Sequence, residues 1–290
     1  MILAVASGKG GTGKTTVSVN LASVYGAPVQ LVDCDVEEPN CHLFLPGTVT
    51  ERETVGIPVP QVDESLCNGC GECGRFCQYH AIVSFGSAPL VFPEMCHGCG
   101  GCKEVCPRKA ISEVDKRIGV IETTRLEKIA LTQGRLDVGV AMAPPLIRAV
   151  KKCLRSGITT ILDAPPGTSC PVIATLRGAD LVVLVTEPTP FGLHDLKLAV
   201  DMVRDLHIPA GVVVNRMGIG DDRVHAFCGK EGIPILLEIP DDRRIAETSS
   251  RGELIVAALP EYRSLFATLL CNIKELRGMK RRAGHGRSAN

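Results

Sequence analysis

The sequence predicts an α/β fold: a mostly parallel, doubly wound sheet, interrupted by a smaller inserted α+β unit. Three observations predict it. A short apolar run, Ile2-Leu3-Ala4-Val5-Ala6, leads through a glycine loop into a helical pattern. Further apolar runs at 29–33, 157–163, 181–186 and 211–215 alternate with helical stretches, as buried parallel strands do. Between the first two of those runs, eight of the fourteen cysteines crowd into Cys67–Cys106 and break the alternation.

The totals bound the possibilities. A chain of 290 residues suits one large α/β domain or two smaller units. Hydrophobic content of 45% supports a core, and 3% aromatics with no Trp makes that core aliphatic. Zero formal net charge argues against a broad nucleic-acid footprint. No apolar run nears the roughly 18 residues that span a bilayer. Met1–Ala6 is too short for a signal peptide and lacks its basic start. The expectation is a cytoplasmic protein with no nucleic-acid partner and no stable membrane insertion. In that compartment fourteen cysteines point to metal ligation or redox chemistry rather than disulfides.

The first element is the glycine loop. Residues Gly8 to Thr15 match G-x-x-x-x-G-K-[ST], between a strand and a helix as that motif requires. Gly8, Gly10, Gly11 and Gly13, with Thr12 among them, let successive backbone N–H groups turn inward around a phosphate. The helix opening at Lys14-Thr15-Thr16 points its positive end at the same anion. Lys14 would reach the outer phosphates of ATP, and the Thr15 hydroxyl would bind Mg²⁺. The run 29–33 then ends in Asp33-Cys34-Asp35-Val36-Glu37-Glu38-Pro39-Asn40, carboxylates at the strand end that faces the ligand crevice.

Ile57-Pro58-Val59-Pro60 reads as an extended linker. Two quartets follow, each C-x2-C-x2-C-x3-C with Ala-Ile at one offset: Cys67, Cys70, Cys73, Cys77 and Cys96, Cys99, Cys102, Cys106. This is an internal duplication. Zinc also binds C-x2-C pairs, but usually as two separated pairs closing one site. Beyond the quartets, Ile118 to Val140 alternates weakly and predicts no definite strand. Pro145 to Arg155 predicts a helix with Leu146, Ile147, Val150 and Leu154 on one face. The run 157–163 ends in Asp163-Ala164-Pro165-Pro166-Gly167. A helix over about 261–276 closes the fold, its apolar face turned to the core. Arg277 to Asn290 has five Lys or Arg and no acids, and reads as a solvated tail.

These motifs carry two resemblances. With its second lysine, Lys9, the loop resembles the deviant P-loop of the MinD/ParA/Mrp and nitrogenase iron protein superfamily. The resemblance implies a dimer, with itself or with a paralogue, in which Lys9 crosses to the partner's nucleotide. It implies that Asp35 holds or orients the attacking water beside Mg²⁺, with Asn40 next to it. Asp163 takes the Walker B place in the second shell of Mg²⁺, and the Gly167 N–H senses the γ-phosphate. Asn215 and Arg216 fall on the adenine side, and the stretch with Pro240 and Asp241 flanks the base. Lys9, Lys14, Asp35 and Asp163 are then the catalytic set of an ATPase.

Residues 61 to 117 resemble the bacterial two-cluster ferredoxins. There the fourth cysteine of each quartet ligates the other cluster. The resemblance therefore implies one [4Fe–4S] cluster on Cys67, Cys70, Cys73 and Cys106, and another on Cys96, Cys99, Cys102 and Cys77. Gln78 stands where the usual Pro follows a fourth cysteine. Seven acids against six bases leave the unit without the acidity of many ferredoxins. Cys170, seven residues past Asp163, matches a cluster-bridging cysteine of the nitrogenase iron protein, but the second cysteine of that recipe is missing from 138–143.

The domain expectation is a P-loop unit over 1–60 and 118–276, a ferredoxin insert over 61–117 and a tail over 277–290. Together the resemblances imply an ATPase that gates electron transfer from two clusters to a redox partner. The alternative is an assembly or carrier factor that hands an iron–sulfur or mixed-metal cluster to a client. A partitioning scaffold with clusters as pins ranks third, because eight ligands exceed what a pin needs.

Overall fold

The structure, a computed structural model, describes residues 1–285. In chain order the strands are β1 (Ile2–Ala6), β2 (Val29–Asp33), β3 (Val49–Val62), β4 (Ile82–Val83), β5 (Leu90–Val91), β6 (Ile111–Arg125), β7 (Ile129–Leu136), β8 (Thr159–Asp163), β9 (Leu181–Thr186), β10 (Ala210–Met217) and β11 (Ile235–Pro240). The α-helices are α1 (Lys14–Val24), α2 (Cys41–Phe44), α3 (Glu72–Phe76), α4 (Gly101–Glu104), α5 (Ala143–Lys152), α6 (Cys170–Leu176), α7 (Pro190–Asp205), α8 (Arg223–Glu231), α9 (Arg243–Ser250), α10 (Ile255–Ala258) and α11 (Arg263–His285).

Nine strands form one sheet in the order β11-β10-β9-β1-β8-β2-β7-β6-β3. From β11 to β7 every pairing is parallel. These strands are apolar on both sides because helices cover both. One layer sets Leu146, Ile147 and Val150 of α5, Val172 of α6 and Val200 of α7 against the sheet. The other sets Val17 and Leu21 of α1 and Phe266, Leu269 and Ile273 of α11 against the opposite face. Phe266 is fully buried, which contributes about 1.5–3 kcal/mol for a side chain of its size. Among the described residues no helix is long and apolar enough to cross a membrane.

The edge β7-β6-β3 is antiparallel and departs from expectation. Ile57–Pro60 is not a linker but part of β3, paired with β6 from Pro58 opposite Asp115 to Pro60 opposite Glu113. Proline is tolerated because β3 is the edge strand, where a missing N–H costs no ladder bond. Residues 118–140, left without a definite strand, complete β6 and supply β7. The closing helix runs on through His285 rather than ending near 276, because nothing from 277 to 285 but Gly278 opposes helix. The rest of the expected tail, 286–290, lies outside the described residues.

The antiparallel edge positions the cysteine-rich segment. β6 pairs with β7 only over Gly119–Arg125, yet with β3 over Ile111–Thr124. Gly119 faces Leu136, the last residue of β7. Residues 111–118 and 56–62 therefore continue past the C-terminal ends of the parallel strands as a two-stranded ribbon, about 25 Å long at the usual rise. That is the end of the sheet that carries the glycine loop. A bare ribbon is marginal in water. Here the segment between Val62 and Ile111 folds back on it, bringing Gly98 against Ile57 and Pro58, and Glu94 to 2.9 Å from Lys116.

Candidate nucleotide site and cysteine quartets

The glycine loop turns at Gly13, whose φ of +92° suits glycine. A Cβ there would lie 2.5 Å from Asn215 Nδ2. That amide donates to the Thr12 carbonyl at 2.8 Å, so β10 is tied to the loop through it. Lys14 and Thr15 open α1. Thr15 Oγ1 donates to Asp163 Oδ2 at 2.7 Å, and Ser18 Oγ, one turn on, donates to Asp163 Oδ1 at 2.7 Å. The metal-binding hydroxyl and the Walker B carboxylate expected from sequence are thus in contact. Ser18 was missed, although its i+4 spacing from Lys14 marks the same helix face.

Asp33 is the second carboxylate of this corner. It accepts backbone N–H bonds from Asp35, Asn40 and Cys41 at 2.9–3.0 Å, which pins the segment after β2. Asp33, Cys41 and Asp163 offer ligand atoms within 4.8 Å of one another, all buried. Burial, then the Asp163 charge, pushes Asp33 up to about 7. Asp163 is raised by burial against its hydroxyl donors and Lys14. Burial also lifts Asp35 to about 6, with Lys14 opposing. Lys14 is itself buried. A divalent cation fits this donor set, since it would relieve two carboxylates that burial now disfavours as anions.

A cavity of about 470 Å³ opens beside the loop. Its walls include Gly11, Gly13, Lys14, Thr15 and Thr16, then Asn40, Asn215, Arg216, Pro240 and Asp241. It brings together ten residues named from sequence. The sequence reading missed Leu43, Phe44 and Ser249, which line it from α2 and α9. Two predicted residues have partners within the chain. Lys9 Nζ lies 3.0 Å from Glu187 Oε2 of its own chain, and the Gly167 N–H donates to the Ser7 carbonyl at 3.0 Å. Asp35 and Pro166 share a neighbouring cavity of about 270 Å³ between the segment after β2 and the turn after β8. Cys170 is exposed at the first residue of α6, and the other cysteines outside the quartets are Cys34, Cys41, Cys153, Cys228 and Cys271. Cys34, Cys41 and Cys228 are buried, while Cys271 is exposed on α11.

The eight quartet cysteines gather into two cavities. One is lined by Cys67, Cys70, Cys73 and Cys106, beside Val62 and Ile111. The other, about 330 Å³, is lined by Cys77, Cys96, Cys99 and Cys102, beside Pro58 and Pro60. Each therefore takes three cysteines from one quartet and the fourth from the other. Backbone N–H groups donate to sulfur at Cys96 (from Gly98, 3.4 Å) and Cys106 (from Ala110, 3.3 Å). Burial raises the thiols of Cys73 and Cys102, the latter to about 11.

Loop, buried carboxylate pair and cavity at the C-terminal ends of parallel strands define a P-loop nucleotide-binding protein. The chain belongs to the CobQ/CobB/MinD/ParA nucleotide-binding family, whose profile matches residues 3–255. It is 34% identical to an uncharacterised protein of Methanocaldococcus jannaschii, over 87% of this chain and 90% of that one. An iron-sulfur cluster carrier protein of Aquifex aeolicus is 29% identical, over 90% of this chain and 63% of its own. The fold is similar to the septum site-determining protein MinD of Pyrococcus horikoshii, solved with Mg-ADP. The TM-score is 0.61 at 22% identity, over 96% of this chain and 98% of that one.

Proposed function

We propose that this chain is an ATP-hydrolysing iron–sulfur protein in which the nucleotide governs delivery of a cluster to a client. The observation that carries the iron–sulfur part is the sorting of eight cysteines into two four-thiol cavities, with the fourth cysteine exchanged between quartets. Cys67, Cys70, Cys73 and Cys106 would hold one [4Fe–4S] cluster, and Cys96, Cys99, Cys102 and Cys77 the other. Each supplies a one-electron carrier when bound. The residues fit: four thiols per cavity, with backbone N–H groups aimed at two sulfurs. The name of the Aquifex relative supports the carrier reading.

Lys14 would reach the outer phosphates of ATP, Thr15 would hold Mg²⁺ with Asp163 in its second shell, and Asp35 would orient the attacking water. A dimer, with a copy or a paralogue, would complete the site through Lys9. Cys170, exposed at the start of α6, is a candidate for transient cluster contact.

Electron transfer is the second reading. It is favoured because each quartet is complete within one chain, which suits resident rather than departing clusters. One experiment separates the two. The reconstituted, reduced protein is mixed with a client apoprotein or an acceptor, with or without ATP, and iron and electrons are followed separately. Iron moving with ATP supports delivery, and electrons moving with iron retained supports the second reading. If ATP affects neither, both fail. In Lys14→Ala the ATP effect should vanish while about eight iron atoms remain, the number two cubanes hold.

A further inference from the structure

Glu187 follows β9 directly and is almost fully buried, at 5% exposure. Its two oxygens serve two cations from two different loops. Oε2 lies 3.0 Å from Lys9 Nζ, in the glycine loop, and Oε1 lies 2.9 Å from Arg216 Nη1, at the nucleotide cavity.

The carboxylate is the fixed partner in this trio. The Glu187 carbonyl accepts from Thr189 N at 2.8 Å. A Cβ on Gly192 would lie 2.2 Å from that same carbonyl oxygen, so α7 is pressed onto it. On the other side, the Asp221 N–H donates to the Pro188 carbonyl at 3.1 Å. The two cations are the more exposed partners, with side chains 33% exposed for Lys9 and 50% for Arg216.

From this we infer that Glu187 is a positioning residue that parks Lys9 on its own subunit until nucleotide draws the lysine away. The inference rests on the reading that Lys9 serves a nucleotide in a shared site. The charges favour release. One carboxylate faces two cations, so when Lys9 leaves, Arg216 still pairs the buried charge. Breaking a lone buried pair would strand that charge at a far higher cost. Arg216 thus makes the parked state reversible, and the lysine is held by about the strength of a partly exposed ion pair.

The test is Glu187→Gln in the full chain, which keeps shape and removes charge, beside Lys9→Ala. Thermal midpoints without nucleotide confirm folding, since the freed cations reach solvent. Amine labelling without nucleotide, read by mass spectrometry, should find Lys9 about fivefold more reactive in Glu187→Gln, with exposed Lys230 unchanged. The half-saturating ATP concentration of the ATPase should fall by about the same factor with kcat unchanged. Lys9→Ala should abolish the ATPase. Equal Lys9 reactivity in both proteins, or an unmoved ATP requirement, overturns the parking role. ATPase retained in Lys9→Ala overturns instead the reading that Lys9 serves the nucleotide.

Discussion

Gly134 of β7 offers a direct test of how the nucleotide segment touches the antiparallel edge. It is buried, and a Cβ added there would lie 2.7 Å from Val36 Cγ1 and 2.7 Å from Val150 Cγ2. Val36 follows Asp35, and its carbonyl accepts from Leu136 N at 2.8 Å. Carbon atoms pack near 3.5–4.0 Å, so Gly134→Ala forces shifts of about 1 Å. Val150 is braced within α5, so Val36 moves, and Asp35 with it. Overpacking of this kind costs about 1–3 kcal/mol. Val36→Ala alone removes buried methyl groups and costs about 1–2 kcal/mol. Together they should cost less than their sum by about 1 kcal/mol or more, because the shortened Val36 makes room for the new methyl. Urea unfolding of the two single variants and the double variant measures this, and kcat of the ATPase should fall in Gly134→Ala and recover in the pair. Strict additivity with kcat untouched would refute coupling between the Asp35–Val36 segment and β7 at this point.

Two further outcomes are expected. Asp33, Asp35 and Asp163 are raised above their unfolded values, so the folded state keeps protons that the unfolded chain has lost, and stability should fall as pH rises. The exposed carboxylates held low, such as Asp137 and Asp221, titrate below that range, so between about pH 5 and 8 the buried group dominates. Thermal midpoints without nucleotide should decline across that window, and a steady rise would contradict the assignment. In the cysteine-rich segment, a Cβ on Gly101 would lie 1.9 Å from Phe76 Cε1. Gly101→Ala should disturb Cys77 and Cys102 alone, lowering iron from about eight to about four atoms per chain with ATPase retained.

The parts of the site legible in the sequence are those written as contiguous motifs. The loop from Gly8 to Thr16, the Asp163–Gly167 turn and the two quartets each state their chemistry within a few residues. What escaped was set by long-range pairing. Glu187 carried no signal of its own, because its two cations lie far away in sequence at Lys9 and Arg216. Ser18 became meaningful only once its hydroxyl met Asp163. The ribbon was hidden for a different reason. The strand that forms it starts with no buried face to impose alternation: in β3, residues 49–54, before the ribbon leaves the sheet, are all exposed. Pro58 and Pro60 argued against a strand, and only its edge position admits them.

The ribbon also orders the two quartets. Cys77, Cys96, Cys99 and Cys102 lie beside Pro58 and Pro60, whereas Cys67, Cys70, Cys73 and Cys106 lie beside Val62 and Ile111 at the far end. The first set is therefore nearer the sheet. Ile57, Val59, Ala81 and Cys96 join the same apolar layer as Val36, Leu146 and Val150. From Asp35 the chain reaches Val36, whose carbonyl holds Leu136, which pairs with Gly119 where the ribbon leaves the sheet. Asp137 N, the next residue, donates to the Ile118 carbonyl at 2.9 Å. These backbone hydrogen bonds join the Asp35 segment to the ribbon, so a displacement of that segment on nucleotide binding should reach the ribbon. The nearer quartet should feel it first, through Gly98 against Ile57 and Pro58. The distal quartet, at the end of the overhang, is the better placed to meet a second protein. Nucleotide control and client contact would then be divided between the two quartets along one ribbon.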